Sequence, residues 1–286
     1  MCRLLHAGFY RLQKNKVLWT CLVLTAAYCL FVYIFQYQDI QKNGRSVSLD
    51  PLFFNFVIYM GILTAVLTSL FVGTEYHDGT IRNKIISGAS RTNIYLSNCL
   101  LCTFMGTVIL LIGCFIGFAL GIPLFGNFEM TTASLIFACL SCLLATWAYA
   151  SIFTMITMIN SSKTTAAVIS LLLAFGLLFA SLAILAALSQ PEYIQQLVTP
   201  DNTVSIVTSE NADFEFEWVK NPNYLTGIKR KIYQNILDFL PTGQTMQIVD
   251  QGGLETNLPM MLFYSIYIII GTNVIGILTF NKKNIK

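Results

Sequence analysis

Residues 75–91 read Glu75-Tyr76-His77-Asp78-Gly79-Thr80-Ile81-Arg82-Asn83-Lys84-Ile85-Ile86-Ser87-Gly88-Ala89-Ser90-Arg91. This polar run lies between two long apolar stretches and, the N-terminal leader aside, holds most of the charge in the first half of the chain. Gly79 tolerates left-handed backbone and is suited to end a helix. Thr80 is then placed to cap a new short helix, with Ile81 and Ile85 on one face and Arg82 and Lys84 on others. Gly88 breaks that helix, and Ser90 caps the next from Arg91. The pattern predicts helix, break, short amphipathic helix, break, helix. A stiff knuckle of this kind, just outside a bilayer, suits docking to another protein.

The flanking stretches set the class. The 286 residues have a mean hydropathy of +0.66, are 55% hydrophobic and only 11% charged, which is the composition of an integral membrane protein. A crossing takes roughly 20 mostly apolar residues for about 30 Å of hydrocarbon. Runs of that length occur at 17–36, 51–74, 94–121, 131–159, 164–188 and 259–280, so the chain reads as an all-α integral membrane protein with six transmembrane helices. Arg3, Arg11, Lys14 and Lys16, beside Leu4, Leu5, Phe9 and Leu12, predict an amphipathic interfacial helix. The apolar run after them lacks a small-residue cleavage site, so the first span is expected to be retained. Asn43-Gly44 and the stretch Pro123 to Met130 read as turns, and Asn160-Ser161-Ser162-Lys163 as a tight loop.

Charge orients the spans. Eleven of the 17 Lys and Arg fall in the leader, the knuckle, the loop at Lys163 and the C-terminal tail. Of the 14 acids, only Glu75 and Asp78 join them. Short loops rich in Lys and Arg stay cytoplasmic, which places both termini and the knuckle inside and residues 190–258 outside, in a plasma membrane. The chain then divides into 1–189, holding the leader, five spans and the knuckle; 190–258, an extracellular cap; and 259–286, the sixth span and basic tail. Within the cap, Phe214, Phe216 and Trp218 alternate with Glu215 and Glu217, as in a strand with one buried face that forms the cap's own core. Asn221-Pro222-Asn223 turns the chain, and Ile228, Ile232 and Ile236 mark an amphipathic helix from Leu225 that stops before Pro241. The expectation is a small α+β cap between the fifth and sixth spans.

Several chemistries are excluded. The predicted spans contain no Asp, Glu, Lys, Arg or His, which argues against an ion-coupled secondary transporter. His6 and His77 lie far apart, where a membrane metalloprotease needs paired histidines. No phosphate-binding loop of the G-x-x-x-x-G-K-[ST] type occurs, so neither a cofactor nor ATP is expected on this chain. No basic tract or RNA-reading motif points to nucleic acid. Cys99/Cys102 and Cys139/Cys142 have the spacing of half a zinc site, but inside apolar helices they read as packing residues. Gly61 and Ala65 in the second span, with Ala174, Gly176, Ala180 and Ser181 in the fifth, let helices approach closely; they serve either helix packing or a translocation path.

The run Glu75-Tyr76-x-x-Gly79-Thr80-Ile81-Arg82-Asn83-Lys84, with Gly88-x-Ser90-Arg91 and Ile94-Tyr95-Leu96-Ser97, resembles the loop after the second span in permease subunits of type V ABC transporters. The likeness is close over about two dozen residues and loose over the layout of the whole chain. It implies that the knuckle is a coupling helix resting in a groove of a separate ATP-binding subunit. Two such subunits, binding ATP and Mg, would serve a homodimer of this chain within membrane lipids. Tyr76, Arg82, Asn83 and Arg91 are the candidate ATPase contacts, and Glu75 is expected to brace the knuckle through Arg82 or Arg91. The resemblance further implies spans two and five along a central path, short helices dipping toward the outer leaflet, and export, with an amphipathic peptide of the toxin or bacteriocin type as the favoured cargo. Lipids, drugs or ions are the alternative cargoes. A non-transporting sensor or assembly protein, whose cap binds a partner, is the rival class.

Overall fold

In the computed structural model, which describes residues 1–44, 47–198, 215–250 and 257–283, the leader and first span form α1 (Cys2–Gln13) and α2 (Lys16–Asn43). Asn15 caps α2 by accepting the Val17 and Leu18 N–H groups, and Gly44 closes it at φ +65°. The second span is broken into α3 (Leu49–Phe54), a 3-10 stretch over Asn55–Tyr59 and α4 (Met60–His77). The knuckle is α5 (Thr80–Ile86), followed by α6 (Arg91–Ile116), a π-turn over Gly117–Gly121, and α7 (Ile122–Phe125). Then come α8 (Thr132–Ile159), α9 (Lys163–Leu188), β1 (Tyr193–Val198), β2 (Glu215–Lys220), α10 (Gly227–Phe239), α11 (Pro241–Val249) and α12 (Leu258–Lys282). Among the described residues, six spans are long and apolar enough to cross a membrane: Lys16–Asn43, Leu49–His77, Arg91–Phe125, Thr132–Ile159, Lys163–Leu188 and Leu258–Lys282.

The packing centres on α8, which touches α12, α4, α6, α11 and α9. α4 is the most enclosed span and rests on α9, α8, α6 and α2. The leader lies on α6, where Gly8 is so close to Leu101 that any side chain would collide with it. Cys99, Cys102 and Cys142 are buried packing residues in these contacts.

Four expectations change at the span ends. The second span begins at Leu49 and runs to His77, which brings Asp50 and Glu75 inside; each is only 1% exposed. Both carboxylates are tolerated there because they are hydrogen-bonded, Asp50 Oδ2 accepting the Glu129 and Met130 N–H groups at 3.1 Å. The third span continues past Pro123, since that residue falls in the first turn of α7, where a missing N–H costs nothing. The strand over Glu215–Lys220 pairs antiparallel with β1, but Trp218 is 63% exposed and so is not part of a core; Phe214 lies outside the described residues. The chain does turn at Asn221, whose Oδ1 accepts the Asn223 N–H at 2.9 Å.

The fourth change is α11. Pro241 ends α10 but starts a new helix, as proline at N1 is suited to do. Residues 241–248 of this helix are all buried, against α3, α8 and α9, so it sits within the bundle rather than above it. Its polar side chains are satisfied: Tyr149 donates to Thr242 Oγ1 at 2.7 Å, Ser265 to Gln244 Oε1 at 2.7 Å, and Gln244 Nε2 to the Asp238 carbonyl at 2.9 Å. The Asp238 carboxylate accepts Gln247 and Gln234 amides at 2.9 and 3.0 Å. Burial pushes that carboxyl up against the opposing pull of the two amides. Gly243 makes the elbow possible, because an added side chain would meet the Leu237 carbonyl oxygen. Gly243→Ala is therefore expected to destabilise the protein by about 1–3 kcal/mol, the usual cost of overpacking; a lowered melting temperature of the detergent-solubilised chain checks this.

Candidate functional site at the terminal end of the bundle

The knuckle forms as its backbone demands. α4 ends in a turn in which Asp78 N–H reaches the Thr74 carbonyl at 2.9 Å, and Gly79 takes φ +65°. The Gly79 carbonyl already accepts the Asn83 N–H at 3.1 Å, so Gly79 is itself the cap of α5. Thr80 is the first helical residue and its side chain makes no capping bond, which corrects the expectation for it. Gly88, at φ +87°, breaks the chain, and Ser90 Oγ accepts the Asn93 N–H at 3.3 Å to start α6. Ile81 is buried at 1% and Ile85 half-buried, while Arg82, Asn83, Ser87 and Gly88 are exposed and Ile86 is 74% exposed.

Beneath the knuckle is a buried carboxylate. Glu75 Oε1 accepts Arg11 Nη1 and Lys84 Nζ, both at 2.5 Å, and Oε2 accepts Asn98 Nδ2 at 2.7 Å. The expected partners Arg82 and Arg91 are not used. Lys84, two helical positions beyond Arg82, turns back toward α4, and Arg11 arrives from a leader that sequence spacing does not connect to Glu75. Arg11 is fixed further by donating to the Phe71 carbonyl at 3.0 Å and lying 4.0 Å over the Phe71 ring. The leader, α4, α5 and α6 thus converge on one carboxylate.

Arg91 serves a different contact. Its guanidinium donates to the carbonyls of Phe280, Asn281 and Lys283 at the C-terminal end of α12, where the helix dipole favours a cation. Tyr76 donates to the Met158 carbonyl at 2.6 Å, the last turn of α8. Lys283 reaches the same carbonyl at 2.9 Å, the Tyr76 hydroxyl at 3.2 Å, and the face of the Tyr76 ring at 4.3 Å. Tyr76 and Arg91 are therefore occupied inside the chain, whereas Arg82 and Asn83 point away from it. Burial lowers the Lys283 ammonium to about 8.

The small residues separate into two groups. Gly61 packs against the Tyr149 ring, where an added Cβ would lie 3.1 Å away, and Ala65 and Ala174 share a buried cluster with Tyr149 and Phe153. Ser181 is also buried. Gly176 and Ala180 are exposed on the outward face of α9.

Six apolar helices of span length, two of them joined by the charged knuckle, define a multi-pass membrane component. The chain belongs to the ABC-2 family of transporters, since the model described as ABC-2 family transporter protein matches residues 33–211. No curated protein matches it. The match begins within α2 and runs past β1, so it includes the knuckle and leaves the leader, α10, α11 and α12 outside. Membership makes the chain the membrane component of a transporter and implies a partner ATP-binding subunit.

Two outcomes follow from this geometry. Glu75→Leu takes the shared carboxylate from Arg11 and Lys84, whose side chains keep 34% and 16% exposure; it is expected to cost about 1–3 kcal/mol, seen as a lower melting temperature in detergent. For Lys283, a folded value of about 8 lies below the ordinary 10.5, so the unfolded chain holds that proton more tightly. The charge then penalises folding fully below about pH 8, and the penalty is relieved as pH rises toward 10.5. Wild type should gain stability relative to Lys283→Met across that window, measured by paired melting curves.

Proposed function

We propose that this chain is the permease half of an ATP-driven exporter. It acts as a homodimer whose termini and knuckle face the cytoplasm, where two separate ATP-binding subunits carry ATP and Mg. The single observation behind the reading is the exposed edge of α5, Arg82, Asn83, Ile86 and Ser87, set on a helix that Glu75 clamps to the leader, α4 and α6. An apolar residue flanked by polar ones on a rigid helix suits seating in a groove of another protein. Closure of the ATPase pair on ATP would push on this edge, and the clamp would pass the displacement to the spans as a unit. Thr80, Ile81, Lys84, Gly88 and Ser90 then shape the helix, and Tyr76 and Arg91 tie it to α8 and α12 rather than touching the ATPase directly.

The cargo assigned to it is an amphipathic peptide. Gly61 and Ala65 of the second span and Ala174 of the fifth lie beside the Tyr149 and Phe153 rings with no charged side chain among them, which favours apolar and amphipathic molecules over ions. Arg82→Glu combined with Ile86→Asp should abolish co-purification of the co-expressed ATP-binding subunit while the chain still inserts and runs as a single species. Undiminished co-purification would overturn the coupling role. Gly79→Pro provides a second variant, because proline is held near φ −65° and Gly79 needs +65°; it should leave ATP hydrolysis uncoupled from transport in vesicles.

A further inference from the structure

α10 carries an apolar face that the described residues leave uncovered. Ile228, Ile232 and Ile236 recur every four positions and are 78%, 50% and 43% exposed. The opposite side, at Leu237 and Asp238, is buried. Lys229 and Lys231 flank the start of the stripe, are exposed, and take part in no ion pair among the described residues. The one acid in α10 is Asp238, already engaged by Gln234 and Gln247. Arg230 lies 5.2 Å over the Tyr224 ring. The helix therefore offers positive charge at one end and uncovered hydrocarbon along its length.

The stripe does not stop at the end of the helix. Phe239, 40% exposed, leads into an open cleft of about 330 Å³ lined by apolar residues and Thr272. Its walls include Leu173 and Leu177 of α9 and Tyr267 and Gly271 of α12, both helices of span length, so the cleft lies between two spans. A soluble partner would cover the stripe but would not follow it between two spans. A lipid does both, with phosphate at the cations and a chain in the cleft. We propose that α10 lies in the headgroup boundary of the leaflet opposite the termini and binds an anionic phospholipid, its headgroup at the turn that carries Lys229 and Lys231 on either side of the stripe and an acyl chain running past Ile232 and Phe239 into the α9–α12 cleft.

Two variants test the two ends of the site. Lys229→Gln/Lys231→Gln removes the exposed charge. Gly271→Leu fills the cleft at a position where an added Cβ meets no atom within 4 Å, and an unchanged melting temperature in detergent checks that the variant is folded. The full chain is placed in nanodiscs of phosphatidylcholine containing a minor fraction of phosphatidylglycerol, and the phosphatidylglycerol retained after extraction is counted by native mass spectrometry. Each variant should hold one phosphatidylglycerol fewer per chain than wild type, with retained phosphatidylcholine unchanged for the lysine pair. Equal retention in all three proteins overturns the proposal. A photo-crosslinker at position 232 should yield a lipid adduct; an adduct with a second copy of the chain or with a cargo peptide instead would also overturn it. None of these readouts needs an ATP-binding subunit.

Discussion

Glu75 is a carboxylate withdrawn from water at the membrane edge, and it persists only because three donors close on it. An isolated charge in that setting costs several kcal/mol, so its partners are bound to come, from wherever the chain can supply them. Arg11 comes from the leader, Lys84 from the knuckle and Asn98 from the third span. Each of these elements alone has weak reasons to sit where it does: α1 is a short amphipathic helix and α5 spans only Thr80–Ile86. A helix so short is marginal by itself. The shared carboxylate turns them into one body with α4, and leaves the outer edge of α5 free.

At the far end of the bundle the same constraint is met differently. α11 buries threonine and glutamine side chains among apolar spans, and polar backbone at that depth survives only when enclosed by protein. Tyr149, Ser265 and Asp238 supply its partners, so the elbow between α10 and α11 is specified by hydrogen bonds rather than by apolar contact alone.

Two helices join these ends. α8 carries Tyr149, bonded to α11, and Met158, whose carbonyl receives Tyr76 and Lys283. α12 carries Ser265 near α11 and presents its C-terminal carbonyls to Arg91. Because α8 and α12 also pack tightly on each other, they form a stiff strut between the charged elbow and the buried re-entry.

Much of this was readable from local sequence. Six apolar runs, the left-handed Gly79, the break at Gly88 and the Ser90 cap depend on neighbouring residues only, because span length and helix capping are short-range physics. The span ends were harder to read: hydropathy excludes a buried carboxylate such as Asp50 or Glu75 unless its partners are known. Pro241 similarly reads as a stop, since the spans that receive a new helix there are distant in the chain. The pattern of residues thus determined which segments cross, where they break, and that the charge gathers in one knuckle. Tertiary structure alone decided that Arg11 and Lys84, rather than Arg82 and Arg91, hold Glu75, and that α11 is buried, because both depend on which groups folding brings within hydrogen-bonding distance across long sequence separations.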